Sequence, residues 1–155
     1  MMHSTLFVAI LGAMAVVNAA PASTTVNPDA VTGTTCTDPS TQVSNYRMRL
    51  SSTYIFTRTL VSHDINVALL GICGGIAGTI QQCGGEPTST TGESGTALLK
   101  LNAATSGQTI DITKGRWEGC MRAARAVCGD SPFTSTCIGG AKVNAGNVDF
   151  ELSAA

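Results

Sequence analysis

Apolar and polar positions change period several times along the 155-residue chain, and each change marks an expected element. Residues 6–17 (LFVAILGAMAVV) are an unbroken apolar run, too short for an ordinary membrane-spanning helix. Residues 20–35 (APASTTVNPDAVTGTT) carry little that can be buried, which predicts a flexible leader. Tyr46, Met48 and Leu50 then alternate with Asn45, Arg47 and Arg49, the period of a half-buried strand. TYIFTRTLV (53–61) has the same β-forming composition, with Ser51-Ser52 as a bend between the two.

Ser62 is placed to cap a helix, and Asp64 falls in its first turn, where a negative charge suits the helix dipole. The following segment, 66–83, is apolar on most sides and predicts a buried helix. Gly71, Gly74, Gly75 and Gly78 each cost about 1 kcal/mol there against alanine, so packing must support it. The polar stretch 84–96 (GGEPTSTTGESGT) predicts a loop. ALLKLNA (97–103) reads as a strand returning through Thr105-Ser106-Gly107 into QTIDI (108–112).

A second helix is predicted from Lys114 to Cys128, because Trp117, Cys120, Met121, Ala124 and Cys128 recur at helical spacing. FTSTCIGGAKV and NVDFELSA finish the chain as two strands about the turn 144–147, with Val148, Phe150 and Leu152 on one face. Strand, helix, hairpin, helix, strand, strand is the resulting order. It predicts an α+β fold: a two-layer α/β sandwich, two helices on one face of a mainly antiparallel sheet, so that each element buries one side.

The apolar run ends at Val17-Asn18-Ala19, a small-residue cleavage pattern, and Pro21 follows. Residues 1–19 are therefore expected to be a signal peptide, 20–35 a leader, and 36–155 a single secreted, extracellular domain. The signal peptide departs from the usual pattern in having His3 but no Lys or Arg before the run. The six cysteines, Cys36, Cys73, Cys83, Cys120, Cys128 and Cys137, predict three disulfides in that setting. On continuous helices, Cys73 and Cys83 would stand about 15 Å apart and Cys120 and Cys128 about 12 Å apart, beyond bridging distance. Antiparallel helices would then favour Cys73–Cys120, Cys36–Cys83 and Cys128–Cys137.

Net charge is −1, which leaves no electrostatic footprint for nucleic acid. No metal or cofactor is expected, since no Cys-x-x-Cys pair occurs and His63 is the only histidine past residue 19. Ser62-His63-Asp64 holds the residue types of a hydrolase triad, but three neighbours in sequence carry no triad geometry, and no Gly-x-Ser-x-Gly elbow is present. The carboxylates Asp64, Glu86, Glu93, Asp111, Glu118, Asp149 and Glu151 are scattered over predicted polar positions, so no catalytic pair is expected. Lys114, Arg116, Arg122 and Arg125 form a modest basic stripe on the second helix, the candidate partner surface.

Cys73 in the first helix, ITKGRWEGC (112–120) entering the second, and Cys137 on the strand beyond it resemble, in layout, a group of small secreted fungal proteins. These are the α/β-sandwich proteins related in fold to the virally encoded killer toxins of smut fungi, a set that includes many candidate effectors of plant-pathogenic fungi. The likeness spans roughly Cys36 to Leu152. It implies a non-enzymatic virulence protein that binds an extracellular protein or surface target of a host or competitor. It supplies no catalytic residues. The toxins are cut at dibasic sites, and no Lys/Arg pair occurs here. Two other activities fit the same pattern: a membrane-active toxin using the Gly-rich helix, and an inhibitor of a secreted hydrolase using 84–96 as bait. The helix is short for a span, so a membrane role is the less favoured.

Overall fold

The computed structural model describes residues 25–37, 60–142 and 146–155. The apolar run 6–17, its cleavage site, the alternating segment 45–50 and most of 53–61 lie outside these residues. Seven elements follow in order: β1 (Val31–Cys36), α1 (Ser62–Gly71), β2 (Ser89–Ser94), β3 (Ala97–Ala103), α2 (Lys114–Cys128), β4 (Phe133–Gly140) and β5 (Asn147–Ala154). Short 3-10 turns precede β1 at Pro28–Ala30 and follow α1 at Ile72–Gly74.

The strands form one sheet in the order β1-β4-β5-β3-β2, antiparallel throughout. Alternation sets its inner face. Phe133 lies opposite Leu152, Cys137 opposite Val148, and Leu101 opposite Phe150, all buried, while Asp149 and Glu151 turn outward. Both helices cover that inner face, α1 over β2 and β3, α2 over β1 and β4. The expected α+β sandwich is therefore the fold.

Trp117 is fully buried under α2 and meets Phe150 edge-to-face at 5.4 Å, and Phe150 meets Phe133 likewise at 5.8 Å. The indole N–H donates to the Leu69 carbonyl at 3.2 Å, joining α2 to the end of α1. Among the described residues, one buried polar side chain, Ser135, faces this core. Its hydroxyl is satisfied by Thr34 at 2.7 Å, so its burial leaves no orphan.

Three elements differ from the sequence expectation. Val31–Cys36, read as leader, is an edge strand paired with β4. Its Thr-rich composition hides it, because pairing and the Cys36–Cys128 bridge hold it rather than an apolar face. Residues 89–94, read as loop, form β2, which completes the hairpin with β3 in place of 108–112. Residues 108–112 contribute only an isolated bridge, Ile110 to Ala141. The third difference is the helix expected over 66–83, which ends at Gly71.

That early end rewrites the disulfides. Past Gly71 the chain turns, with Cys73 at φ 52° and Gly75 at φ 109°, both left-handed, so helical rise no longer separates the cysteines. Cys73 and Cys83 lie 5.1 Å apart at Cα and are bridged. Cys120 on α2 pairs with Cys137 on β4, directly beneath it, and Cys36 pairs with Cys128. All three expected pairings are thus replaced. The pairings of Cys73 and Cys83 rested on an uninterrupted first helix that its glycines make costly to extend, and Cys128–Cys137 fails because it is the buried, mid-helix Cys120 that faces β4.

Candidate interaction surface

The four cations of α2 do not form one stripe. At about 100° per residue, Arg116 projects away from the side that carries Lys114, Arg122 and Arg125. Arg116 donates to the Ile138 carbonyl on β4. Lys114 Nζ donates to the Gly78 carbonyl at 2.8 Å, fastening the turn after α1. Arg122 is exposed and 3.8 Å from Glu118 one turn back, an ion pair worth little in water.

Arg125 is the structural member of the set. Its guanidinium is shared between Asp130, Asn66 at 2.8 Å and Ser62 at 3.0 Å. One fork thereby joins the end of α2 to the start of α1, a geometry lysine cannot supply. Of the four, Arg125 is neutralised by Asp130 and Arg122 is weakly paired with Glu118, whereas Lys114 and Arg116 are tethered to neutral carbonyls and keep their charge.

The candidate hydrolase residues are likewise engaged elsewhere. Ser62 accepts from Arg125, and Asp64 accepts from the Thr96 N–H at 2.8 Å and its hydroxyl at 2.9 Å. Those two bonds, foremost the backbone one, with His63 as a lesser contributor, hold the Asp64 carboxyl below its ordinary value. Asp64 thus clips the β2–β3 turn onto α1, and His63 is left exposed. The remaining carboxylates are dispersed: Glu86 pairs with Lys142, Asp111 with Gln82, Glu118 with Arg122 and Asp149 with Thr136, while Glu93 stands on β2 and Glu151 on β5. Among the described residues no three His, Cys, Asp or Glu side chains converge as a metal site.

Among the described residues, shallow depressions lie on both layers. Thr134, Thr136, Asp149, Glu151 and Asn102 line a polar one of about 390 Å³ on the outer sheet face. A second, of about 430 Å³, lies between the Pro28–Ala30 turn and the start of α2. The third, about 280 Å³, runs between the helices over Leu69, Leu70 and Met121 and is mainly apolar. Large apolar side chains also stand at the surface, among them Leu70 (43 % exposed), Ile80 (41 %) and Val127 (65 %).

Sequence reasoning placed Leu70 and Ile80 in a buried helix and so missed both as surface residues. The glycines flanking Ile80 were the available signal. Thr96 carried none, because its role depends on β2 and β3 being a hairpin. Among the described residues no helix is long and apolar enough to cross a membrane. No family model, curated protein or solved structure matches the chain.

Proposed function

We propose that this is a secreted, non-enzymatic, cysteine-rich protein, a fungal effector that acts by binding a molecule of a host or competitor. The observation that carries the reading is the use made of its functional groups. Arg116, Arg125, Lys114, Ser62 and Asp64 are engaged in joining elements, while apolar side chains stand exposed on a frame closed by three disulfides. Disulfides at this density belong with an oxidising compartment, and the apolar run 6–17 with its small-residue cleavage pattern supplies a route to it. A mainly apolar groove over Leu69, Leu70 and Met121, rather than any single exposed side chain, is the kind of surface a binding protein presents.

Expression of the full chain in a secreting host tests the proposal. Protein recovered from the medium should have the mass of residues 20–155 less six hydrogens, and should turn over no ester, glycoside or peptide substrate. An uncleaved signal peptide, free thiols, or turnover abolished by His63→Ala would overturn it.

A further inference from the structure

The loop closed by Cys73–Cys83 is anchored on one side and exposed on the other. Its inner side is anchored: Ile76 and Ala77 are buried, and the Cys73 N–H donates to Thr90 at 3.2 Å. Its outer side, from Gly78 to Gln82, is exposed throughout, with Ile80 at the centre. The exposed run is held by scaffold contacts on both flanks. Lys114 reaches the Gly78 carbonyl from one side, and on the other the Lys114 N–H donates to the Gln81 carbonyl at 2.9 Å and the Cys83 N–H to that of Ile112 at 3.2 Å.

These bonds face the scaffold and leave the alternate residues facing out. Among the described residues, neither the N–H nor the C=O of Ile80 or Gln82 has a hydrogen-bond partner. Gly78 and Thr79 belong to a turn, so the loop offers a short pre-ordered edge over residues 80–82, where Gln82 bridges Thr113 and the β-branched Ile80 stands exposed. Its ordering cost is met before any partner arrives, which favours tight association.

We propose that residues 78–82 bind the substrate cleft of a serine protease whose primary pocket accepts a small aliphatic side chain, with Ile80 in that pocket. Such clefts take substrate as an added strand, with main-chain bonds for affinity and a side-chain pocket for selection. Hydrolysis of the Ile80–Gln81 amide would add one water across the bond, leaving a carboxylate on Ile80 and an ammonium on Gln81. Both new ends would remain held, by the Cys73–Cys83 bridge and by the buried Ile76, so the fragments stay in place for the bond to close again. The proposal rests on the non-enzymatic binding reading and gives it a partner and a contact element.

The test is titration of the oxidised full chain against elastase-class, trypsin-class and chymotrypsin-class serine proteases with small chromogenic substrates. Competitive inhibition confined to the elastase class is expected. Ile80→Asp should weaken it by roughly 100-fold or more, and Ile80→Arg should move it to the trypsin class. Leu70→Asp, in the interhelical groove, is the control and should leave it unchanged. Because Ile80 is at the surface, circular dichroism should show each variant folded. Absence of inhibition of all three classes at micromolar protein overturns the proposal, as does inhibition that survives Ile80→Asp within about threefold. A protein that is exported with three disulfides and no turnover, yet inhibits nothing, removes only this assignment and leaves the binding reading standing.

Discussion

Single positions in this fold are constrained by how closely two backbones approach. Gly92 on β2 lies under α1, where a Cβ would fall inside the contact distance of the Ala68 carbonyl oxygen. Neither backbone can yield without moving α1 off the sheet. Gly92→Ala should therefore cost about 2–4 kcal/mol, read as a fall in the urea midpoint. Gly107 is the comparison: its φ of 81° disfavours alanine, but nothing lies within 4 Å, so Gly107→Ala should cost only about 1 kcal/mol. Asp64 supplies a pH signature at the same scale. Its carboxyl is held below the ordinary range, so the stability it contributes is complete above about pH 4 and is lost as pH falls through the lower folded-state value. Asp64→Asn should accordingly be less stable at neutral pH and show a shallower acid limb in a pH series of melting temperatures.

Elements are joined by few side chains, and Arg125 carries the most. Its fork holds the first turn of α1 through Ser62 and Asn66 while binding Asp130 beyond the end of α2. Arg125→Ala should cost about 1–3 kcal/mol and raise hydrogen exchange in α1 more than in α2. Arg122→Ala, one turn earlier and solvent-exposed, should fall within about 0.5 kcal/mol of the parent. Equal losses for the two would show that α1 is held by its apolar contacts alone. The same reasoning explains why a basic stripe on α2 is a poor guide to a partner surface. Spacing places charges on a helix, but the neighbours decide which of them remain available.

Across the whole molecule, the disulfides divide the work unequally. Cys36–Cys128 closes a separation of 92 residues and ties one edge strand, β1, to the end of α2. Cys73–Cys83 closes only ten. By loop entropy the first is worth about 4–5 kcal/mol and the second about 3 kcal/mol. Replacing both cysteines of the long bridge by serine should therefore lower the melting temperature more than the same change at the short one. Loss of the short bridge should instead be felt locally, in the order of residues 78–82, and so in the inhibition proposed for that loop. The opposite ranking would mean that the residue 73–83 turn is the keystone of the fold.

The α+β architecture was readable because periodicity is a local property. The heptad-like spacing from Trp117 to Cys128 and the strict alternation from Val148 to Leu152 need no partner to be recognised, and α2, β3 and β5 follow from them. The two edge strands were not readable. Thr32 to Cys36 and Ser89 to Ser94 are polar and Thr-rich, and they become strands only because β4 and β3 offer them hydrogen bonds. Of the candidate site, residue types were legible and their assignments were not: the sequence marked Arg125 and Asp64 as charged, while the structure commits both to holding α1 in place. The expected pairings of Cys73 and Cys83 failed for the same reason, since they depended on where one helix stops, a balance between glycine cost and the contacts of the turn that follows. Local pattern thus determined the fold class and the number of bridges. Tertiary contact alone decided the edges, the pairing and the exposed loop, because each is stabilised by residues far away in the chain.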